Sequence, residues 1–472
     1  MEKDFNVELI GVTEDAELLS VAGALGCFEE KSSAQILEEL KALPPDERNK
    51  KVKAVLENSF GRGHGSIGDQ NLFVFSIENL PRLAIFQLCL PEYLAHLQQS
   101  LRRAKADRGF HVSEAIKESK FRSEVEDTLS GAFELYEEMC KAEIPGEDAR
   151  FILPLATRTN IQTAGNAREL SHLWKMSQGK YVPSIVKAVV DEMITKAKEI
   201  APYLFEEMGY NYETLAWYPS AQLYYEDSNI FVESVIRKLI EKTKMFYGEK
   251  AKEVKLISPS EITGLFRENG INTVVEVVKL RPSSEIIGLF TEDVLKKAVE
   301  KRKEEDLAAL KHIHFEFLVP MSLACLHQAI RQRTWNHCIE SIYNAVDRGS
   351  YVAPPSIKNN KDFEKKFLSQ QRKMFDLQYK LRGLPFSETI GVIPHSLLIC
   401  TWVHVNGWNA IHSIGKRTCL TAQWEIRKIA KEMAKQIEEV MPALGKWAKP
   451  QCITYGSCPE RESCGYQGGK EE

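Results

Sequence analysis

Apolar and polar residues follow two different periods along the first 205 residues of the chain. The run VELIGV at residues 7–12 alternates and predicts a strand, and LFVFSIENL at residues 72–80 predicts a second one. Residues 14–58 show helical spacing, whereas GRGHGSIGDQ at residues 61–70 is too rich in glycine for regular structure and predicts a loop. Further helices are predicted over residues 81–110, 121–145 and 184–205, and in a segment that begins near Asn166.

The second half of the chain repeats the first in a constant register. Four residues recur 240 positions later: Pro154, Asn166, His172 and Pro202 return as Pro394, Asn406, His412 and Pro442. Gln87 and Ser100 recur 241 positions later, as Gln328 and Ser341. A shared order and register predicts a tandem duplication, with copy one at residues 1–248 and copy two at residues 249–472. We expect an α/β (α+β) fold in which each copy has a small, mainly antiparallel sheet with long helices.

Composition excludes several classes of protein. A chain of 472 residues exceeds the usual size of a single core, which agrees with two domains. A net charge of −4 gives no basic field, so a nucleic-acid polymer is not favoured as a partner. We find no signal peptide and no apolar run long enough for a membrane span. Ten cysteines without an export signal predict reduced thiols in a cytoplasmic protein.

A pair of arginines in copy two predicts an anion site. Residues 331–341, RQRTWNHCIES, place Arg331 and Arg333 two apart and Ser341 at the end. Two such residues share a face in an extended segment but not in a helix. Their guanidinium groups would then form a clamp for phosphate or a delocalised anionic ring. The alternative is a pair of surface arginines without a ligand.

The two copies have kept different polar residues. Copy one has LPEYLAHLQQS at residues 90–100, where copy two has the arginine clamp. Only copy one has His64 in its glycine loop, EDAR at residues 147–150 and NAR at residues 166–168, and only copy two has RTCLTAQWEIR at residues 417–427. This complementary retention predicts composite sites built from both copies across a pseudo-dimer interface.

Together these motifs resemble the flavin-dependent thymidylate synthase family. The matching elements are GHGS at residues 63–66, Gln328 three residues before the clamp, DAR at residues 148–150, the NAR turn and AQWEIR at residues 422–427. The resemblance covers nearly the whole chain, with one family domain in each half. Each motif is weak alone, but their order and spacing together are specific.

The resemblance implies a flavoenzyme that methylates dUMP to dTMP. It implies FAD as cofactor, methylene-tetrahydrofolate or a related pterin as carbon donor, NADPH as reductant, and a homodimer that imitates the family's tetramer. Family residues imply that FAD is bound by His64, Asn166, Arg168, His172, Arg331, Gln332 and Arg333. They imply that the nucleotide is bound by Gln328, Arg150, Arg417, Ser100 and Arg102. Ser341 would lie beside the uracil. Arg331 and Arg333 would contact the flavin where negative charge develops.

Some positions depart from the family pattern. Gln332 replaces a histidine that normally touches the flavin, and Tyr343 stands where the family has an arginine. Arg102 then supplies the phosphate contact from copy one, or the substrate is not dUMP. Two alternatives follow: a diverged flavoprotein that acts on another nucleotide, and a non-catalytic scaffold or metal-binding protein.

The C-terminal segment contains a group of cysteines that flavin chemistry does not explain. Cys452, Cys458 and Cys464 are spaced at equal six-residue steps, and Cys419 lies next to Arg417. Clustered thiolates in a reducing compartment suit zinc or an iron–sulfur cluster. We therefore expect these four cysteines to bind a metal; the alternative is free thiols in a frayed tail.

Overall fold

The chain folds into two compact units. A computed structural model describes residues 4–206, 219–225, 231–247, 250–251, 254–257, 291–301, 304–454, 456–460 and 463–465. Unit 1 contains the described residues of Met1–Tyr225 and Ala353–His395, and unit 2 contains those of Glu226–Val352 and Ser396–Glu472. The predicted domain boundary between residues 248 and 249 lies outside the described residues, so that boundary stays a prediction.

The first chain segment of unit 1 forms an antiparallel sheet and a set of helices. Its strands are β1 (Asn6–Val12), β2 (Phe73–Pro81), β3 (Ala95–Gln98) and β4 (Arg158–Gly165), in the order β1-β2-β4-β3. Its helices are α1 (Ala16–Gly26), α2 (Ser33–Ala42), α3 (Pro45–Asn58), α4 (Arg82–Leu88), α5 (Glu114–Lys117), α6 (Arg122–Lys141), α7 (Gly146–Ala149), α8 (Ala167–Ser177) and α9 (Ser184–Ile200). Short 3₁₀ turns lie at Phe60–Arg62, Gly65–Ile67, Arg150–Ile152 and Pro202–Leu204.

The next segment begins unit 2, and the chain then returns to unit 1. Unit 2 begins with α10 (Phe231–Thr243), β5 (Phe246–Tyr247), β6 (Lys250–Ala251), β7 (Lys255–Ile257), α11 (Glu292–Lys301), α12 (Glu304–Ala309), β8 (His314–Ser322), α13 (Leu323–Ala329), β9 (Asn336–Ile339) and α14 (Ile342–Arg348). Unit 1 then receives α15 (Pro355–Lys358), α16 (Lys361–Lys380) and α17 (Phe386–Thr389). Short 3₁₀ turns in these segments lie at Leu310–His312, Leu381–Gly383 and Ile390–Val392.

The last segment completes unit 2. It contains β10 (Leu398–Asn406), α18 (Gly407–Asn409), a π-helical turn (Ala410–Ile414), α19 (Gly415–Arg417), α20 (Trp424–Val440), α21 (Pro442–Gly445) and α22 (Gln451–Thr454). The sheet order β7-β8-β10-β9 is antiparallel and matches the order of the sheet in unit 1. No helix in the described ranges is long and apolar enough to span a bilayer.

Sequence periodicity explains the main elements of unit 1. In β2, Phe73, Phe75 and Ile77 are fully buried on one face, as expected of an alternating strand. In α6, buried residues recur at helical spacing, and this face packs against α16. These contacts confirm the expected α/β class with two small antiparallel sheets and long helices.

The helix predicted over residues 81–110 is wrong beyond its first two turns. Helix α4 ends at Leu88, and Pro91 follows three residues later. Proline lacks the N–H that a continuing helix requires. The chain then pairs with β4 as the short strand β3, where Ala95 lies opposite Ala164. Four residues of strand are too few for periodicity to distinguish them from helix.

Two main-chain hydrogen bonds join distant segments of unit 1. The Leu155 N–H donates to the Ile393 carbonyl at 2.8 Å, and the His395 N–H donates to the Leu153 carbonyl at 3.0 Å. Pro154 and Pro394 face each other between these hydrogen bonds. The paired prolines, 240 residues apart, are one of the residue pairs that recur in the sequence.

Glu425 of the AQWEIR motif connects two helices of unit 2. Its buried carboxylate accepts from the Ser322 N–H at 2.7 Å and from the Ser322 hydroxyl at 2.5 Å. The Ser322 Oγ accepts in turn from the Cys325 N–H at 3.0 Å and caps α13. Gln328 lies at the end of the same helix, so Glu425 holds that helix in place.

We expect Glu425→Ala to destabilise the protein by about 2–3 kcal/mol, because it leaves a buried N–H and hydroxyl without their acceptor. Urea unfolding midpoints measure the effect. Glu439→Ala on the exposed side of α20 is the matched control and should change stability by less than about 0.5 kcal/mol. Equal midpoints for the two variants would contradict the role of Glu425.

We expect His395 to make unit 1 sensitive to acid. Burial lowers the pKa of His395 to about 3, and the Arg82 and Arg150 charges contribute. Below the unfolded-state pKa of about 6.5, the unfolded chain binds a proton that the folded protein does not, so stability falls as pH falls. Between pH 7 and pH 5 this residue should cost about 2 kcal/mol of unfolding free energy.

His395→Asn tests this expectation. The His395 Nδ1 donates to the Leu153 carbonyl at 2.7 Å, and an asparagine amide can keep that bond without titrating. The variant should therefore lose less stability than the wild type between pH 7 and pH 5, as measured by urea unfolding. Identical pH dependence would show that another group is responsible.

Candidate active site

The arginine clamp lies in a turn between α13 and β9. The Gln332 N–H donates to the Ala329 carbonyl at 2.9 Å, and the Trp335 N–H donates to the Gln332 carbonyl at 2.8 Å. This conformation differs from the extended segment that we expected for the two arginines. Arg331 and Arg333 are nonetheless both exposed, so their charges face solvent on either side of Gln332.

Two side chains fasten this turn to the segment after β10. The Thr334 hydroxyl lies 2.6 Å from Asn409 Oδ1, and the Asn409 amide donates to the Thr334 carbonyl at 2.9 Å. The Trp335 indole N–H donates to the Ser413 hydroxyl at 2.6 Å, and the Trp335 side chain is 2% exposed. The turn is therefore held as a rigid unit, which presents its arginines in a fixed position.

Gln328 and Ser341 flank the clamp in unit 2. The Gln328 Nε2 is buried, and within the described residues it has no hydrogen-bond partner. A buried donor without an acceptor is costly, so its position fits a ligand oxygen. Ser341 is fully buried and is the N-cap residue directly before α14. The adjacent Glu340 is paired with Arg348 and accepts from the Cys400 N–H at 2.8 Å, which fixes the end of β9.

Three residues predicted to bind the nucleotide come together in unit 1. The Arg102 Nε donates to the Glu147 carboxylate at 2.7 Å, and the Arg102 N–H donates to the Ser100 hydroxyl at 3.2 Å. The Arg150 Nε donates to the Glu147 carbonyl at 3.1 Å, and Arg150 is only 4% exposed. Arg102 and Arg150 therefore both contact Glu147, and Ser100 contacts Arg102. Two cations suited to an anionic phosphate thus lie near the same residue.

The glycine loop and the NAR turn also meet in unit 1. The Asn166 side chain caps α8 by accepting from the Glu169 N–H at 2.9 Å. The same amide donates to Asp69 at 3.0 Å, and Arg168 is ion-paired with Asp69 at 3.0 Å. His64 is exposed in the loop. An exposed imidazole, an arginine and a helix N-terminus suit an anion, although Asp69 offsets part of the Arg168 charge.

His172 differs from this group because it is buried. It is 4% exposed, and its Nδ1 lies 3.8 Å from the Glu169 carboxylate. Burial raises the pKa of Glu92, the Glu169 charge raises it further, and His172 lowers it. Glu92 occupies the position in copy one that Arg333 occupies in copy two. The clamp position of copy one is therefore part of an acidic cluster.

Three acidic partners were missed by sequence reasoning. Asp69, Glu340 and Glu425 each hold a predicted site segment in place. Asp69 lies within the glycine loop and Glu425 within AQWEIR. Both motifs were predicted to belong to the site, but these two residues were given no role. Each of these residues acts through a contact with a segment far away in the chain, and the spacing of residues in a sequence does not reveal such contacts.

The predicted metal site is wrong for the described residues. Among them, no three histidine, cysteine, aspartate or glutamate side chains are placed to hold a metal ion. Burial raises the pKa of Cys452, and the charges of Cys419, Cys458 and Cys464 raise it further. The thiols thus lie within electrostatic range of each other, but a metal site requires ligand distances of about 2.3 Å. All ten cysteines have free thiols.

The chain matches a known family model over two stretches. The model is described as thymidylate synthase complementing protein, and it matches residues 8–203 and 272–443. The flavin-dependent thymidylate synthase of Geobacter sulfurreducens is 28% identical over 208 residues, which cover 43% of this chain and 86% of the relative. That of Pyrococcus abyssi is 31% identical over 193 residues, which cover 35% of this chain and 78% of the relative.

A solved structure is also similar. It is a crystal structure of the UMP/dUMP methylase PolB from Streptomyces cacaoi bound with 5-Br dUMP. The identity is 19%, the match covers 43% of this chain and 94% of that one, and the TM-score is 0.37. On the two family-model matches and the sequence relatives, the chain belongs to the flavin-dependent thymidylate synthase family, a family of enzymes.

Proposed function

We propose that the protein methylates dUMP to dTMP. Methylene-tetrahydrofolate or a related pterin would supply the carbon, and NADPH would supply the reducing equivalents. The observation that carries this proposal is the clamp turn, where exposed Arg331 and Arg333 follow Gln328 and its buried, unsatisfied Nε2. Family membership supplies the reaction, and these residues supply groups suited to its anionic cofactor and substrate.

The residues present fit FAD as the cofactor. Arg331 and Arg333 would contact the ring, with Gln332 between them, and preorganised cations there stabilise negative charge as it develops. His64, Asn166 and Arg168 at the N-terminus of α8 would hold the phosphates, with His172 behind them. When bound, reduced FAD supplies the electron pair that converts the transferred carbon to a methyl group.

Each unit offers residues suited to the substrate. Ser100, Arg102 and Arg150 offer a hydroxyl and two guanidiniums to the phosphate, while Gln328 and Arg417 offer further donors. Glu147 restrains Arg102, so little side-chain entropy is lost when the phosphate binds. Ser341, which is fully buried in this structure, would lie beside the uracil.

A diverged flavoprotein acting on another nucleotide is the second candidate. Tyr343, at the position of the family's phosphate-binding arginine, is 9% exposed. A buried tyrosine there removes a phosphate contact from copy two. Arg102 of copy one offers a replacement, which is the reason that we favour dUMP.

We also propose that the chain is a tandem duplication that forms a cytoplasmic homodimer and imitates a tetramer. Both copies have the same strand order, and the family model matches each of them. The pairing of Pro154 with Pro394 agrees with this origin. Complementary loss of polar residues supports composite sites made from the two copies.

We expect the purified protein to be yellow, with about one FAD per chain or fewer. It should release tritium from 5-tritiated dUMP when NADPH and the folate donor are both present. Omission of either compound is the control. A flavin-loaded protein that releases no tritium would favour the second candidate, and a colourless protein that cannot be reconstituted would support a non-catalytic scaffold.

Arg333→Ala and Arg168→Ala should each reduce flavin content, although they lie in different copies. We expect FAD affinity to fall by about tenfold or more for each, because each change removes a charged contact to the cofactor. Flavin absorbance of the dialysed protein measures the loss. Arg122→Ala on the exposed face of α6 is the control. Loss of flavin in only one site variant would contradict the composite model.

A further inference from the structure

Three contacts fasten the clamp turn to one helical segment. Thr334 contacts Asn409, and Trp335 donates to Ser413, as described above. The third contact joins Gln332 and Arg417: with the amide oriented so that its oxygen faces the guanidinium, the Gln332 oxygen accepts from Arg417 Nη2 at 2.5 Å and from Nε at 3.2 Å. This orientation satisfies both groups, which is the basis on which amides are assigned.

A π-helical turn brings these contacts onto one face. Asn409, Ser413 and Arg417 are spaced by four residues, and an α-helix would rotate the last of them by about 80° from the first. A π turn contains about one residue more than an α turn. Asn409 and Arg417 are eight residues apart, so the angle between them is about that of residues seven apart in an α-helix. That angle is about 20°. The turn at Ala410–Ile414 lies between the first and last contacts. Arg417 therefore points back toward the clamp.

The equivalent helix in copy one lacks this device. Helix α8 is α-helical from Ala167 to Ser177, without a π-helical turn. Ser177 stands at the position equivalent to Arg417, and Pro91 at the position equivalent to Gln332. The π turn and the Gln332–Arg417 pair thus occur together in copy two and are both missing from copy one.

The acceptor that Gln332 provides is neutral. Other arginines in this protein are held by carboxylates, as Arg102 is by Glu147 and Arg168 is by Asp69. A carboxylate orients a guanidinium but also offsets its charge, whereas an amide oxygen orients it and leaves the charge in place. This contact therefore preserves the electrostatic attraction of Arg417 for an anion.

We propose that Gln332 is a positioning residue for nucleotide binding, which orients the Arg417 guanidinium toward the phosphate of the bound pyrimidine nucleotide. This inference rests on the proposed function, because Arg417 must bind the nucleotide. It assigns a role to the residue that departs from the family's histidine: Gln332 acts through Arg417.

A double-mutant cycle tests the proposal. The dissociation constant of dUMP is measured by calorimetry on FAD-loaded wild type, Gln332→Leu, Arg417→Ala and the double variant. We expect Gln332→Leu to weaken dUMP binding by about tenfold, and to have almost no effect when Arg417 is already alanine. Additive effects of the two changes would show that Gln332 acts independently of Arg417 and would overturn the proposal.

Two more variants separate positioning from a structural role. Gln332→Glu keeps the acceptor but offsets the Arg417 charge, so dUMP should bind about as weakly as in Gln332→Leu. Gln332→His keeps a neutral acceptor and should recover part of the affinity. Wild-type affinity in Gln332→Glu, or no recovery in Gln332→His, would contradict the proposal.

Flavin content supplies a readout that does not depend on the nucleotide. The role through Arg417 replaces the direct flavin contact that the family resemblance implies for Gln332. Flavin absorbance of each variant should therefore stay near that of the wild type. Loss of flavin in Gln332→Leu would instead assign Gln332 to direct cofactor binding and would overturn its role through Arg417. Wild-type protein that retains flavin but does not bind dUMP would refute the proposed substrate. Additive effects in the double-mutant cycle would instead refute the role of Gln332.

Discussion

The main-chain bridge between residues 153–155 and 393–395 is the contact on which unit 1 depends. It joins two segments that are distant in the chain, and it satisfies the N–H groups of Leu155 and His395 in a buried setting. Such groups are expensive to leave unpaired, so the bridge is strongly specified. The 3₁₀ turn that begins at Arg150 runs directly into it. The position of Arg150 therefore depends on a segment about 240 residues further along the chain.

Charge at the candidate site is controlled through the partner of each arginine. Carboxylates pair with two arginines of the candidate site, since Glu147 holds Arg102 and Asp69 holds Arg168, and Glu340 pairs with Arg348 near Ser341. These pairs limit side-chain motion but offset part of the positive charge. Gln332 holds Arg417 without adding a negative charge. Arg331 and Arg333 are likewise exposed to solvent in unit 2.

Sequence periodicity predicted the long elements because burial on one face determines them. Strand β2 and helix α6 have complete alternating or helical faces, and both were found where expected. Strand β3 has only four residues, and its pairing with β4 overrides a local pattern that favours helix. The clamp conformation was missed for a similar reason, because Trp335 and Thr334 fix it through contacts with a segment more than seventy residues away.

Local structure at the candidate site was predictable where a motif carries its own chemistry. Asn166 begins a helix near where one was expected, because its side chain accepts from the Glu169 N–H. The binding roles of the DAR and NAR arginines stay predictions. The cysteine cluster shows the limit of this reasoning. The four thiols lie close enough that the charges of three of them raise the pKa of Cys452. Coordination of a metal requires shorter distances, which depend on backbone geometry that the spacing in the sequence does not define.

The two halves of the chain differ at the position of the arginine clamp, where Glu92 corresponds to Arg333. Glu92 replaces an arginine beside buried Glu169, and burial together with that neighbouring charge raises the Glu92 pKa. A carboxyl group at this position does not attract an anion as an arginine would. An isoalloxazine ring that gains negative charge would be repelled there, whereas Arg331 and Arg333 in copy two would stabilise it. Residue 92 thus offers no cation to an anionic ring, whereas Arg102 offers one to a phosphate.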